Sequence, residues 1–563
     1  AFSLIKSPIM TEKSTNLNQF NKYSFIVAKD SNSFEIKQAI ENIFKVKVEK
    51  INTLILRGKL KSFKGSLGYK KDMKKAIVIG SGFGGLAIAC RLKKHNFNVK
   101  LLEKQSDLGG RARTFTHNGF KYDAGPTVIT APYLIDELFQ IHGKDSKDYY
   151  NLIKVSPFYR FIFSDKSHFD YGDNLLAMLR AMKRKYSHED ALGYISLLKH
   201  SKRIFKTAFT ELSDKPFESF ASMLPYLPEL LRIKFYKSVN TSVSSFMKNE
   251  NLAKALSMHP LLIGGNPYTT TSIYLLIQYL EWKWGVYYAE GGTRSIINSL
   301  EKLLGEIGVE CYKNTEVINI IKNNKKIVEV DTDSGNYTAD LVVSNADPSM
   351  FYEKVLRKTP VKISNKPSIL KHSMSLFVIY FSTKKIYDEI QHHTIIFNKR
   401  HKELLSDIFD KKIMIDDPSL YLHRPLSTDV GGQQFGSDSF YVLAPVPNNL
   451  SNIDWEKHGD TFKDMVFDIL EEFALPGLKK NLVDSFYITP KYFEEDLNTH
   501  VGSGFGIQPI FRQSAYFRYS NKAPEFDNLY FVGASTHPGA GIPGVISTAK
   551  ATEKLILKDY GIS

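Results

Sequence analysis

Gly80, Gly82 and Gly85 stand at the spacing G-x-G-x-x-G, directly behind the β-branched run 77–79 and ahead of a helix-forming stretch, 86–94. The chemistry of that spacing is phosphate binding. Backbone N–H groups without obstructing side chains approach a diphosphate, and the helix N-terminus faces its charge. A second apolar run, 99–102, ends on Glu103, the carboxylate that such a unit offers to a ribose. Strand, turn, helix, strand and acid follow in order within about thirty residues, which specifies a dinucleotide site rather than a bare turn. A second glycine-rich segment, Gly533-Ala-Ser-Thr-His-Pro-Gly-Ala-Gly-Ile-Pro-Gly-Val545, lies near the other end.

Six residues after the acid comes Gly109-Gly110-Arg111-Ala112-Arg113, and then Asp123-Ala-Gly-Pro-Thr127. Nicotinamide enzymes do not usually carry that pair. The stretch resembles the doublet-glycine extension of the amine-oxidase and desaturase group of FAD proteins. The resemblance implies FAD, a second backbone turn at Gly110, and a cationic contact to the diphosphate that falls to Arg111. Gly125, Pro126 and Thr127 continue the expected site. The strand-like runs 315–320 and 341–346 return the chain to the cofactor domain, where Val317 could present backbone groups to adenine. Gly533, Gly541, Pro543, Gly544 and Val545 are expected to complete FAD binding.

The charge is unevenly spread. The chain holds 75 basic and 59 acidic residues, a net +16, but residues 1–72 alone hold 14 Lys and Arg against 6 Asp and Glu, or +8. Half the excess sits in an eighth of the length, as if two unlike proteins were joined. The front piece reads as a small α+β module: 34–44 puts Ile36, Ala39, Ile40 and Phe44 on one helical face, and 23–27 and 46–56 suit strands of a small antiparallel sheet. Lysines interleaved with Phe63 and Tyr69 offer charge to phosphates. Ser7-Pro-Ile-Met-Thr-Glu-Lys13 with the runs above closely resembles bacterial large-subunit ribosomal protein twenty-three over most of residues 3–78, which implies rRNA as a partner for residues 1–72 only. In that family a segment like 68–78 supplies the last strand, yet 73–78 also begins the dinucleotide unit, and one strand cannot lie in both sheets. No Gly, Ser or Pro-rich linker separates the modules. The expectation is therefore a truncated gene joined to a second gene through a shared Lys-Lys-Ala-Ile-Val, with Met73 the enzyme's own initiator and a genuine fusion the alternative.

Residues 73–150, 286–349 and 501–563 are assigned to a Rossmann-like α/β domain that binds FAD, with 151–285 and 350–500 an inserted α+β substrate domain rich in helix formers and aromatics. Phe158, Tyr159, Phe161, Phe163, Tyr274, Tyr279, Trp282 and Trp284 suit an ordinary core better than a ligand tunnel. Cys90 and Cys311 are the only cysteines, too few for a disulfide framework or a cysteine metal site. His392 and His393 form the only histidine pair and, with no matched carboxylate or histidine at ligand spacing, read as structural, so no metal is expected. No run of about eighteen apolar residues predicts a transmembrane helix.

From 74 to 558 the chain resembles the bacterial-type phytoene desaturases. The likeness runs through His259-Pro-Leu-Leu-Ile-Gly-Gly-Asn-Pro267, Thr271-Ser-Ile-Tyr274, Trp284-Gly-Val-Tyr-Tyr288, Gly291-Gly-Thr293, Tyr441-Val-Leu-Ala-Pro-Val-Pro447 and Thr536-His-Pro-Gly-Ala-Gly-Ile-Pro-Gly-Val545. One departure is Ser535, where that family usually has glycine. The resemblance implies a carotenoid substrate, allylic hydride abstraction by FAD, and a quinone or oxygen as electron acceptor. No catalytic residue is legible. Thr536 and His537 are the candidates, and His537 serves equally well as a loop-orienting group. A bilayer-dissolved substrate implies a cytoplasmic protein peripherally attached to the inner face of the cell membrane, through Leu175–Lys185 or 224–237. Another FAD-dependent carotenoid enzyme, a diapophytoene desaturase, isomerase, saturase or oxygenase, is the alternative.

Overall fold

Strand Lys75–Ile79 is buried on both faces from Ala76 onward, as an uninterrupted β-branched run requires. It pairs in parallel with Asn98–Leu102 on one side and Leu341–Ser344 on the other. Glu310–Tyr312 and Leu529–Phe531 are the outer strands of this five-stranded parallel sheet. The helices Phe83–Lys94 and Ile542–Asp559 pack on each other over it. From Lys75–Ile79 the chain crosses to Asn98–Leu102 on one side, and from the adjacent Leu341–Ser344 it crosses to Leu529–Phe531 on the other, so the crevice beyond the carboxyl ends of these two strands is a topological switch point, where open α/β sheets bind ligands.

The computed structural model describes two units, within Ala1–Asp72 and Met73–Ser563: residues 5–8, 23, 25–27, 31, 33–44, 46–53, 62–63 and 66–67 of the first, and 73–212, 224–357, 369–432 and 436–562 of the second. Lys75–Ile79 thus belongs to the second unit. In the first, Ile5–Pro8 pairs with Phe25–Val27, Ser62–Phe63 pairs with Ser66–Leu67, and Ser33–Phe44 is helical. Ile36 and Ala39 are buried there, but Phe44 is exposed and only leans on Phe25, with ring centroids 5.5 Å apart. Residues 46–53 form no strand, against the sequence expectation. Their N-terminal end is held instead by Val48 N–H, which donates to Glu41 at 2.9 Å. Tyr69 and the rest of the basic tail lie outside the described residues.

Beside the parallel sheet stands a seven-stranded one, in the order His168–Tyr171, Tyr159–Ile162, His393–Ile396, Leu420–His423, Asp438–Val446, Ser375–Thr383, Leu482–Ile488. Only the pairing of Tyr159–Ile162 with His393–Ile396 is parallel. All nine residues of Ser375–Thr383 are buried because both its faces are covered. Phe377 and Phe381 meet Phe462 and Phe467 of helix Trp455–Phe473, while Leu376, Val378 and Tyr380 face a cavity. Within 151–285, a region rich in helix formers and aromatics, the stretch 152–171 supplies three strands. Tyr159, Phe161 and Phe163 recur every second residue and, with Phe158, are buried in a core.

Candidate active site

A single cavity of about 800 Å³ runs from the switch point to the seven-stranded sheet. Its polar end is built from the glycine turns. Gly80 N–H donates to Leu102 O at 2.8 Å and Asn345 N–H to Ile79 O at 2.7 Å, which fixes the turn at the strand ends. A side chain at Gly85 would run into the Gly80 carbonyl, and one at Gly125 into that of Arg111, so both glycines serve close backbone packing. Asn345 knits the two glycine-rich segments together. A Cβ on Gly82 would lie 2.7 Å from its Oδ1 and one on Gly533 2.6 Å from its Nδ2, while Nδ2 donates to Val532 O at 3.2 Å.

Ser81 joins three parts of the site. Glu103 Oε2 accepts from its N–H at 2.8 Å and its hydroxyl at 2.5 Å, and Gly109 N–H donates to its Oγ at 3.1 Å. Glu103 Oε1 accepts from Gln105 N–H at 2.9 Å. The acid is buried at the cavity wall with its carboxylate already occupied.

Arg111 also lines the cavity, and its Nε is buried with no hydrogen-bond partner. Burial pushes its guanidinium below the ordinary value, with the negative charge of Asp347 pulling the other way. A desolvated cation with an unsatisfied donor beside side-chain-free turns fits an incoming diphosphate.

Gly80, Gly82, Glu103, Gly110, Arg111, Gly125, Pro126, Thr127 and Val317 reach this one wall system together with Gly541, Pro543, Gly544 and Val545. Gly85, Gly533 and Thr536 do not line it. Gly85 packs helix to turn, Gly533 N–H donates to Thr548 Oγ1 at 2.9 Å, and Thr536 Oγ1 donates to Gly533 O at 2.9 Å. His537 lines the cavity with Nε2 3.0 Å from Leu212 O, a contact that anchors the loop. Ser535 lies outside the left-handed region. Its hydroxyl donates to Asp347 Oδ2 at 3.0 Å and accepts from Ile507 N–H at 3.4 Å.

Beyond the turns the walls become apolar, with Leu261, Ile277, Leu376, Val378, Phe397 and Leu443 among them. Tyr274 lines this part, contrary to a purely core role, whereas Phe158, Tyr159 and Phe161 do not. Three neighbouring hydroxyls meet on this surface. Thr127 Oγ1 lies 2.6 Å from Tyr441 OH and 3.2 Å from Tyr421 OH. Burial raises Tyr421 to about 12 and Tyr441 further, so both stay protonated.

Sequence reasoning did not find Ser81, Asn345, Asp347, Tyr421 or His423. Ser81 and Asn345 sit inside motifs read for their glycines and β-branched residues, whereas Tyr421 and His423 arrive through sheet register. His393 stands directly opposite His423 across an antiparallel pair, so the histidine pair gains a third member. One ring nitrogen from each of His392, His393 and His423 lies within 4.8 Å of one from each of the others.

The chain belongs to the flavin containing amine oxidoreductase family, whose sequence pattern matches residues 83–552. A separate pattern, ribosomal protein L23, matches residues 3–79. Among curated relatives, the lycopene-forming phytoene desaturase of Pseudescherichia vulneris is 43% identical over 492 residues, covering 86% of this chain and 100% of that protein. That of Pantoea ananas is 42% identical over 491 residues, with the same shares. A solved oxidoreductase from Methanosarcina mazei shares the fold, with a TM-score of 0.58 at 17% identity over 85% of this chain and 100% of that one.

Proposed function

We propose that residues 73–563 bind FAD and desaturate phytoene toward lycopene in carotenoid biosynthesis. The observation that carries the reading is the continuity of the cavity, in which a diphosphate-ready end opens directly into an apolar channel. A long hydrocarbon offers no polar handle, so shape and apolar contact must hold it.

Gly80, Gly82 and Gly110 would meet the diphosphate with backbone N–H groups and Arg111 with its charge. Glu103 would exchange its Ser81 bond for a ribose hydroxyl, and Val317 would face adenine. Gly125, Pro126, Thr127, Gly541, Pro543, Gly544 and Val545 would surround the isoalloxazine. When bound, the flavin supplies a two-electron acceptor for an allylic hydride, and it is re-oxidised by a quinone or oxygen. The chain's own contribution is alignment and the exclusion of water, which would otherwise add to the cation left on the substrate.

The substrate enters from a membrane surface. Leu227, Leu231 and Tyr236 are exposed beside the cavity-lining Leu230 and Phe235. Phe511 and Phe517, also exposed, line the cavity itself, with Phe511 5.2 Å from Phe235. Arg232 and Lys234 flank this apolar cluster, which suits peripheral docking on anionic lipid at the inner face of the cell membrane. Helix Leu175–Lys185 supplies none of the cavity lining and is the weaker candidate. Among the described residues, no helix is long and apolar enough to cross a membrane. For residues 1–72, the L23 match supports rRNA contact, testable by salt-sensitive binding.

The test is pigment analysis of phytoene-accumulating cells that express the full chain or residues 73–563. Lycopene or a less desaturated intermediate from both is the expected result. Unchanged phytoene beside flavin-loaded protein would reject the substrate and turn attention to the other carotenoid reactions.

A further inference from the structure

A file of polar groups leads from the cavity wall to the protein surface through the buried histidines. Tyr421 OH lies 2.7 Å from His393 Nδ1. His423 Nε2 lies 3.0 Å from His392 Nε2, and His392 Nδ1 lies 2.7 Å from Oγ1 of the partly exposed Thr428. The three imidazoles are almost wholly buried. Two of their nitrogens, His393 Nε2 and His423 Nδ1, are buried without a partner, on rings whose centroids are 5.6 Å apart.

Tautomer bookkeeping makes these two orphans complementary. If Tyr421 donates to His393 Nδ1, His393 carries its proton on Nε2. If His392 donates to Thr428, His392 Nε2 accepts from His423 Nε2–H, and His423 Nδ1 is left as a lone pair. One orphan is then a donor and the other an acceptor. Reversing every bond gives a second consistent arrangement with the two roles exchanged. The two arrangements are the states of a proton wire before and after one proton has passed. One bridging water would satisfy this buried donor and acceptor together.

We propose that Tyr421, His393, His423 and His392 conduct the proton released by desaturation from the cavity to Thr428. The proposal rests on the desaturase reading. Once the substrate has lost a hydride with both its electrons, the neighbouring C–H bond breaks and its electron pair becomes the π component of the new double bond. The freed proton goes to the Tyr421 oxygen as Tyr421 gives its own to His393 Nδ1. His393 passes its Nε2 proton across the water to His423 Nδ1, His423 passes its Nε2 proton to His392 Nε2, and the Nδ1 proton of His392 leaves through Thr428. Burial depresses all three imidazoles. They therefore rest neutral and do not retain the proton, while a carbocation is acidic enough to load even a weak base.

The test uses the full chain loaded with FAD. His423→Gly opens an imidazole-sized gap, and phytoene turnover should fall about a hundredfold with flavin content kept, then recover when free imidazole is added. Tyr421→Phe should lower turnover without rescue. Ring ¹⁵N NMR of the wild-type chain should show His393 and His423 neutral, each with one protonated nitrogen. Wild-type turnover in either variant overturns the wire, as does a slow His423→Gly that imidazole leaves slow, or a stoichiometric metal ion bound by the three histidines. A wild-type chain that leaves phytoene untouched instead rejects the underlying reading.

Discussion

Arg91 and Glu553 stand 462 positions apart and meet at 2.9 Å, Nη1 to Oε2, inside the protein. The pair ties helix Phe83–Lys94, which follows the first glycine turn, to helix Ile542–Asp559, which follows the last. Glu553 also meets His95 at 2.9 Å, and Arg91 meets Glu137 at 3.0 Å. Removing Arg91 leaves Glu553 with His95 alone and Glu137 with Lys550, so the loss stays below the roughly 3–5 kcal/mol of a fully stranded buried charge and is about 2–3 kcal/mol. Arg91→Met is therefore expected to lower the unfolding midpoint in urea by that equivalent and to release flavin. An unchanged midpoint would mean that the two helices are held by their apolar contacts alone.

Arg111 makes a more local prediction. Its buried Nε has no partner in the protein, so its removal should leave folding nearly intact and weaken the cofactor. A charge-assisted hydrogen bond is worth about 1.5–3 kcal/mol, and Arg111→Ala should raise the flavin dissociation constant by roughly ten- to a hundredfold, measured by fluorescence of released flavin. Lysine should restore part of the loss, since it returns the charge without the planar fork.

Acid should destabilise the protein steeply. Burial holds His392 and His401 down at about 3 and His372 at about 4, against roughly 6.5 unfolded. Their contribution is fully present above that unfolded value and is lost as pH falls toward the folded ones. Each neutral histidine costs about 1.4 kcal/mol per pH unit in that window. Asp123, which burial raises to about 7, runs the other way and offsets one of the three. Urea midpoints measured between pH 7 and pH 5 should fall on acidification, and a flat profile would mean that these histidines protonate in place.

The proposed membrane attachment can be tested apart from the chemistry. Leu231→Asp with Tyr236→Asp alters two exposed side chains and should release the protein from anionic vesicles in co-sedimentation, with flavin content unchanged. Retention equal to wild type would move the docking face elsewhere, with Leu175–Lys185 the next segment to alter.

What the sequence made legible was local. The spacing of Gly80, Gly82 and Gly85, the acid at 103 and the pair at 109–113 are short-range patterns with one physical meaning each, and the cavity gathers most of them. The resemblance of the later blocks carried the reading from dinucleotide binding to a carotenoid. What stayed hidden depends on register. His423 is thirty positions from His393 in the chain and opposite it in the sheet, and no spacing rule reveals such a partner. The alternation of Tyr159, Phe161 and Phe163 is only three positions long, too short to separate a buried strand from a buried helix by period alone.

The order of strands in the parallel sheet has a consequence for how the protein is made. Its centre comes from residues 75–102, but its far edge is Leu529–Phe531, and the last wall of the cavity is 541–545. A ribosome delivers these pieces last, when nearly all of the chain has emerged. On the proposed site, cofactor loading must wait until 541–545 have emerged, and a product terminated before them would carry the fingerprint glycines yet lack one wall of the cavity.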